Sequence, residues 1–260
     1  MCRTCGCSPS PDAGSVDHSP AHRHDHHDDH DHGSPLESPR VLTLEQRVLE
    51  RNDRMAAANR RWLRDRGVVA INLMAGPGAG KTTVLERTLR DLGAGVDLLV
   101  IEGDQATEND AQRIRAAGGR AIQINTGAGC HLDAAMVAEA LVKLDPAPGA
   151  LVVVENVGNL VCPALFDLGQ QVRVVVTSVT DGDDKPLKYP HMFRASDVVL
   201  INKTDLLPYV QFDVRSCVAR ARELNPHVES FEVSATRGDG MVAWYTWLAQ
   251  LGPRLGAGWL

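Results

Sequence analysis

The stretch that decides the fold is an apolar run, residues 68–74, followed by AGPGAGKTT at 75–83. The spacing fits the phosphate-loop pattern G-x-x-x-x-G-K-[ST], except that alanine occupies the first glycine position. In this pattern backbone N–H groups surround the phosphates, the lysine adds a positive charge, and the next hydroxyl is offered to Mg²⁺. The sequence therefore predicts a nucleotide site formed by Gly76, Pro77, Gly78, Ala79, Gly80, Lys81, Thr82 and Thr83.

Beyond this loop, short runs rich in valine and isoleucine alternate with helical patterns. With 68–74, the predicted strands are 97–101, 121–125, 151–155, 172–178, 198–202 and 231–234. The predicted helices are 82–92, 110–117, 132–144, 214–224 and 241–251. Such alternation predicts an α/β fold of the P-loop NTPase type, with a mostly parallel sheet and helices on both faces. Ligands of such sheets bind beyond the carboxyl ends of the strands.

Two segments that follow predicted strands indicate guanine recognition. The sequence NKTD at 202–205 lies roughly 120 residues after the phosphate loop. Asp205 can accept from guanine N1–H and N2–H₂, whereas adenine lacks the second donor. Two such bonds of about 1.5–3 kcal/mol each favour guanine by about 10²–10⁴-fold. We therefore expect GTP and GDP as ligands, bound also by Asn202, Lys203, Asp205, Ser234 and Ala235.

Carboxylates at two other strand ends complete this site. Asp104 belongs to EGD at 102–104, and Glu155 begins ENVG at 155–158. Either can hold Mg²⁺ directly or through water, or orient the attacking water. We expect Mg²⁺ to be held by Thr82 and Asp104, the amide of Gly158 to approach the γ-phosphate, and Glu102 and Asp167 to be structural. The expected catalytic residues are Lys81, Asp104 and Glu155.

The composition of the chain narrows the classes of partner. The 260 residues are 43% hydrophobic and 4% aromatic, and seven of the acids responsible for the net charge of −6 fall within residues 1–40. A nearly neutral body argues against binding to nucleic acid or to an anionic membrane. No apolar run approaches the about 20 residues of a membrane span, and no secretory signal is visible. We expect a cytoplasmic protein with reduced cysteines.

Cysteines and histidines indicate three metal-binding regions. Cys2, Cys5 and Cys7 suit planar Ni²⁺ if amine and amide nitrogen contribute, and Zn²⁺ if the site is tetrahedral. Seven of the ten histidines lie between His18 and His32, among aspartates, which is typical of a store for divalent metals; a merely solvated tail is the alternative. The predicted ligands in this run are His22, His24, His26, His27, His30 and His32.

The third region lies inside the nucleotide-binding domain. Cys130, His131 and Cys162 fall in loops expected to be neighbours, and they form an incomplete ligand set that a second subunit, water or a partner would complete. A buried cysteine with a helix-capping histidine is the alternative. The domains expected are a disordered Cys/His-rich nickel-binding tail at 1–40, an amphipathic helix at 41–66, and a P-loop GTPase domain with this internal metal site at 67–260.

Four motifs and the CxxCGC start carry a resemblance to the HypB family of hydrogenase nickel-incorporation GTPases. The motifs are IEGDQ at 101–105, GCHLD at 129–133, ENVGNLVCP at 155–163 and DGDDKPLKYP at 181–190, and the similarity spans residues 41–260. The resemblance implies a slow GTPase of the signal-recognition-like class that delivers nickel during maturation of the [NiFe]-hydrogenase active site. It also implies magnesium or switch roles for Asp104 and Glu155, and a nickel or zinc site of Cys130, His131 and Cys162 near a dimer interface.

The same resemblance implies the partners. They are a second copy of the chain in a GTP-dependent homodimer, a HypA-type nickel accessory protein, the hydrogenase large-subunit precursor, and a His-rich prolyl isomerase chaperone. A urease nickel-insertion GTPase is the nearest alternative, but its metal motif is Cys-Pro-His. A cobalamin-enzyme chaperone would not need the cysteines, and a small-molecule kinase would not need NKTD. A nickel store with a regulatory nucleotide site would tolerate Lys81→Ala but not deletion of residues 1–40.

Overall fold

A computed structural model of the protein describes residues 39–104, 109–127 and 129–254. The chain divides into two units after Arg47, and the described part of the first unit is the beginning of the first helix. The strands are β1 Val69–Ala75, β2 Leu98–Asp104, β3 Arg120–Asn125, β4 Leu151–Glu155, β5 Val172–Ser178, β6 Val198–Asn202 and β7 Glu229–Glu232. No helix of the described residues is long and apolar enough to cross a membrane.

The helices alternate with these strands. They are α1 Pro39–Asp65, α2 Lys81–Leu92, α3 Asn109–Ala116, α4 Ala134–Leu144, α5 Cys162–Leu165, α6 Lys185–Lys188, α7 Pro190–Arg194, α8 Val214–Leu224 and α9 Met241–Arg254. Two 3-10 helices lie at Gly93–Gly95 and Thr204–Tyr209. The strands form one sheet in the order β3-β2-β4-β1-β5-β6-β7, with every neighbouring pair parallel.

Helices cover both faces of the sheet. Successive side chains of a strand point to opposite faces, so neighbouring residues of β1 pack against different helices. On β1, Ile71 packs in a cluster with Leu85 of α2 and Trp244 of α9. Its neighbour Ala70 packs in a second cluster with Leu63 of α1. A third cluster joins β5 and β6 to the short α7 and to α8. The predicted parallel α/β fold is confirmed.

The structure differs from the sequence prediction mainly at element boundaries. Strand β2 continues to Asp104, so the EGD segment is part of the strand. Strand β7 begins and ends two residues earlier than predicted. Helix α4 begins at Ala134 and not at residue 132, because the Asp133 side chain accepts a hydrogen bond from Met136 N at 2.8 Å and caps the helix. The helices of four or five residues, α5, α6 and α7, are too short to show a periodic pattern.

Candidate functional site

The phosphate loop lies between β1 and α2, in the middle of the sheet. Gly78 and Gly80 have φ angles of 76° and 95°, in the left-handed region that favours glycine. At Gly80 a Cβ atom would also lie 2.5 Å from Asn202 Nδ2, so a side chain has no room there. Helix α2 begins at Lys81 and directs its N-terminus at the loop, an arrangement that favours anions.

A cavity of about 440 Å³ opens above this loop, at the carboxyl ends of β1, β2 and β4. The predicted site residues that line it are Gly76, Pro77, Gly78, Gly80, Lys81, Thr82, Thr83, Asp104, Glu155, Gly158 and Lys203. The structure thus brings together residues predicted from separate segments.

Glu155 and Thr82 form a buried pair at the floor of the cavity. Thr82 Oγ1 donates to Glu155 Oε1 at 2.7 Å. Within the described part of the chain, Glu155 Oε2 has no hydrogen-bond partner. Burial raises the pKa of Glu155 to about 7, against the opposing effects of Lys81 and the Thr82 bond. Burial also lowers the pKa of Lys81, and nearby carboxylates such as Glu155 oppose that shift.

These oxygen donors fit a hard divalent cation. Mg²⁺ prefers carboxylate and hydroxyl oxygens and keeps several of its waters. Thr82, Asp104 and Glu155, which carry such oxygens, all line the cavity. The donor set is therefore chemically suited to a magnesium–nucleotide complex.

Five lining residues were not among the predicted site residues: Glu102, Gly103, Asp110, Arg113 and Asn156. Glu102, expected to be structural, is 2% exposed yet lines the cavity, and its Oε2 has no partner among the described residues. Burial and the nearby Glu155 raise the pKa of Glu102 to about 8. Arg113 also lines the cavity, held by Glu86 at 2.7 Å, and Asn156 lines it from the end of β4. The EGD and ENVG segments contain Glu102 and Asn156, whereas no motif includes Arg113.

The segments predicted to recognise guanine meet beside the phosphate loop. Asn202 Nδ2 donates to the carbonyl of Ala79 at 3.0 Å, and Asn202 Oδ1 accepts from Ala235 N at 3.2 Å. Lys203 Nζ donates to the carbonyl of Gly78 at 2.7 Å. The Ser234 hydroxyl donates to Asp205 Oδ1 at 2.6 Å, which orients that carboxylate.

Cys130, His131 and Cys162 form the cluster that the sequence predicted. The two Sγ atoms are 2.9 Å apart, and Cys130 Sγ lies 3.6 Å from His131 Nδ1. All three ligand atoms lie within 4.8 Å of one another, and both cysteines are buried. Two sulfurs and an imidazole suit borderline metals such as Ni²⁺ and Zn²⁺. His131 does not cap α4, because Asp133 does so.

The surroundings of His131 favour its neutral form. Its ring stacks on Phe166 with a centroid distance of 3.8 Å. Burial lowers the pKa of His131 below its usual value, with a smaller opposing effect from Asp133. A metal ligand must be a neutral imidazole, so this environment supports ligation at neutral pH.

Two asparagines of α1 hold the segments that follow the cluster residues. Asn52 Oδ1 accepts from Ala134 N at 2.9 Å, and Asn52 Nδ2 donates to the carbonyl of Asp167 at 2.8 Å. Asn59 Nδ2 donates to the carbonyls of Ala134 at 2.7 Å and Leu168 at 3.0 Å. These contacts join segments far apart in sequence and were not predicted.

Some predicted residues cannot be placed, and one has a structural role. Asp167 pairs with Arg60 at 2.6 Å and accepts from Gly169 N at 2.9 Å, in accord with the role expected for it. The predicted tail ligands lie outside the described residues: Cys2, Cys5, Cys7, His22, His24, His26, His27, His30 and His32.

The phosphate loop, the parallel sheet and the polar cavity define a P-loop nucleotide-binding protein. The family model for the CobW/HypB/UreG nucleotide-binding domain matches residues 69–232. A hydrogenase maturation factor HypB of Azotobacter vinelandii is 54% identical over 227 residues, which cover 87% of this chain and 75% of that protein.

Two solved structures are similar in fold. A crystal structure of the hydrogenase maturation factor HypB from Archaeoglobus fulgidus has a TM-score of 0.73 at 40% identity, covering 78% of this chain and 99% of that one. A crystal structure of HypB from Helicobacter pylori in complex with nickel has a TM-score of 0.74 at 35% identity, covering 80% and 98%. The chain belongs to the HypB family of hydrogenase maturation factors.

Proposed function

We propose that the chain is a GTP-hydrolysing nickel chaperone, which binds Ni²⁺ at Cys130, His131 and Cys162 and releases it under nucleotide control during hydrogenase maturation. One observation carries this proposal: a single segment connects the nucleotide cavity to the metal cluster. Glu155 and Gly158 line the cavity, and Cys162 is four residues further along the chain. The nickel complex of the Helicobacter pylori relative supports nickel as the cargo.

The base-recognition segments support GTP as the nucleotide. Asp205 accepts a hydrogen bond from Ser234, which orients the carboxylate proposed to accept two hydrogen bonds from guanine. Asn202 joins the base-binding loops to the phosphate loop through its bonds to Ala79 and Ala235. A bound guanine and the phosphates it carries are therefore held by one connected network.

The cavity floor supplies the groups for hydrolysis. Lys81 adds positive charge beside the outer phosphates, and Thr82, Asp104 and Glu155 would hold Mg²⁺, which neutralises developing phosphate charge. Glu155 lines the cavity, and its carboxylate is the group we propose to orient the attacking water. Arg113 is already bound by Glu86 and Asp110, so we expect slow hydrolysis by the isolated chain.

The metal cluster supplies an incomplete coordination set. Ni²⁺ displaces the thiol protons of Cys130 and Cys162 and binds the neutral imidazole of His131. The remaining positions are open to water, to a second copy of the chain in the proposed GTP-dependent homodimer, or to an acceptor. On hydrolysis, movement of residues 158–163 shifts Cys162 relative to Cys130 and lowers the nickel affinity.

The proposed acceptors are a HypA-type accessory protein and the hydrogenase large-subunit precursor. Cys2, Cys5 and Cys7, with the histidines between His18 and His32, would load or store nickel upstream of the internal site. A His-rich prolyl isomerase chaperone is proposed as a further partner in that loading step. Zn²⁺ is a second metal that the internal site suits chemically.

A nickel titration of the full chain tests the proposal. In a Cys2→Ser, Cys5→Ser, Cys7→Ser background, thiolate-to-nickel absorbance reports Cys130 and Cys162, because Cys217 is buried in an apolar cluster and burial raises its pKa to about 11. Free nickel is set by a chelator, and the chain carries either GDP or a non-hydrolysable GTP analogue. We expect nickel affinities that differ at least about fivefold between the nucleotides.

Light scattering in the same samples reports the mass of the chain in each nucleotide state. A dimer with the GTP analogue and a monomer with GDP is expected. The matched control is Cys162→Ser in the same background, which should lose the absorbance. Equal nickel affinities in the two nucleotide states would contradict nucleotide-controlled delivery and favour a nickel store with a separate nucleotide site.

A further inference from the structure

We propose that Asn156 is the positioning residue that couples the nucleotide cavity to the metal cluster. The inference rests on the proposed function and names the contact that carries its regulation. Asn156 is 1% exposed and lines the cavity at the end of β4. Its side chain leaves the cavity wall and reaches the loop that carries Cys130 and His131.

One oxygen atom of Asn156 serves both sites. Asn156 Oδ1 accepts from Val157 N at 3.0 Å, on the segment leading to Gly158, and from Leu132 N at 3.1 Å, directly after His131. Asn156 Nδ2 donates to Asn72 Oδ1 of the central strand β1 at 3.3 Å. Both amides bond to the same oxygen atom. If Asn156 reorients with Val157 on the nucleotide side, the bond from Leu132 N on the metal side must therefore lengthen or change direction.

Leu132 links the reorientation of Asn156 to the position of the metal ligand His131. Leu132 is fully buried, and its side chain lies against Gly103, which also lines the cavity. A Cβ at Gly103 would lie 2.7–2.9 Å from three carbon atoms of Leu132, so this contact has no spare room. Leu132 is thus held from two sides by cavity residues. A shift in either one moves the backbone at His131.

Gly158 completes the link on the nucleotide side. A Cβ there would lie 3.4 Å from Pro77 Cα of the phosphate loop, so the 156–158 segment lies directly against the loop that would cradle phosphates. A γ-phosphate that engages the amide of Gly158 therefore displaces the segment that contains Asn156. The same displacement reaches Leu132 through the shared oxygen.

The test compares the ratio of nickel affinities with GDP and with a non-hydrolysable GTP analogue, in full-length chains carrying Cys2→Ser, Cys5→Ser and Cys7→Ser. We expect Asn156→Ala to bring this ratio within twofold of one, with nickel affinity lowered in both nucleotide states. By reciprocity, the effect of nickel on affinity for the GTP analogue must fall by the same factor.

Asn59→Ala is the matched control. Like Asn156, Asn59 is a buried asparagine. It makes two hydrogen bonds to backbone carbonyls, both on the metal side, and neither carbonyl belongs to a cavity residue. We expect this variant to lower nickel affinity with both nucleotides and to keep the ratio. Loss of the ratio in Asn59→Ala as well would overturn the proposal, because any loosening of the metal loop would then suffice.

A measurement on the wild-type chain without nickel keeps the proposal testable if Asn156→Ala does not fold. Hydrogen exchange of the Leu132 and Val157 amides should change together between GDP and the GTP analogue. A change at Val157 with none at Leu132 would overturn the role of Asn156. A wild-type affinity ratio of one would instead overturn the proposed function, whereas a wild-type ratio retained in Asn156→Ala overturns only this inference.

Discussion

Asn202→Ala should lower the free energy of unfolding, because Asn202 joins the phosphate loop to the loop that contains Ala235. Asn202 is 2% exposed and bonds the carbonyl of Ala79 and the amide of Ala235, which are themselves 1% and 5% exposed. The substitution leaves both backbone groups buried without this partner. At about 1–3 kcal/mol for each unsatisfied buried group, the free energy of unfolding should fall by about 2–6 kcal/mol.

Urea unfolding of the nucleotide-free chain, followed by tryptophan fluorescence, measures this loss. The control is the neighbouring Lys203→Ala, which removes a 2.7 Å bond to the carbonyl of Gly78 at an exposed position, where water replaces the lost donor. We expect the control to cost less than about 1 kcal/mol. A loss below about 1 kcal/mol for Asn202→Ala, or an equal loss in the two variants, would refute the role of Asn202 as the link between the two loops.

Three further predictions concern specificity, pH and metal binding. Asp205→Asn should lower GTP affinity by about 10²–10⁴-fold and raise XTP affinity relative to GTP affinity, because the amide donates a hydrogen bond where the carboxylate accepts one. Competition binding measures both affinities. An unchanged GTP affinity would contradict guanine recognition by Asp205. Folding raises the pKa of Glu102 from 4.5 to about 8, so the nucleotide-free protein should lose stability as the pH rises through that window. In thermal melts, the gain in stability of Glu102→Gln over wild type should therefore grow from pH 5 to pH 8. The control is Glu50→Gln at an exposed position, which should show no such trend. Asn52→Ala should lower the nickel affinity of the internal site by about tenfold and change GTP affinity less than twofold, because Asn52 bonds only to segments on the metal side. Isothermal titration with each ligand measures the two affinities. An equal loss of both would indicate general unfolding.

The fold was predictable because buried parallel strands have a distinctive composition. The valine-rich runs at 151–155 and 172–178 match β4 and β5 at both ends. Boundaries depend on local contacts that composition does not reveal. Asp133 moves the start of α4, and the short helix α5 begins at Cys162 without any periodic pattern.

The site was predictable where a motif fixes the chemistry and the parallel sheet fixes the place. The phosphate loop, NKTD and the cysteine–histidine motifs all follow strands, so the carboxyl ends of the sheet bring them together. Asn156 and Asn52 act instead through side-chain hydrogen bonds to segments distant in sequence. Asn52 belongs to no motif, and the ENVG motif that contains Asn156 does not reveal its partners, so only the folded chain shows what each side chain contacts.

In the proposed mechanism, GTP hydrolysis releases nickel from Cys130, His131 and Cys162. A single-turnover experiment would use the nickel-loaded full chain with Cys2, Cys5 and Cys7 replaced by serine. It would follow two signals in the same sample: phosphate release, and capture of free nickel by a chelating dye. We predict that nickel appears no faster than phosphate, and that it stays bound with a non-hydrolysable analogue or in Lys81→Ala. Nickel release at the same rate with GTP, with the analogue and in Lys81→Ala would contradict this mechanism.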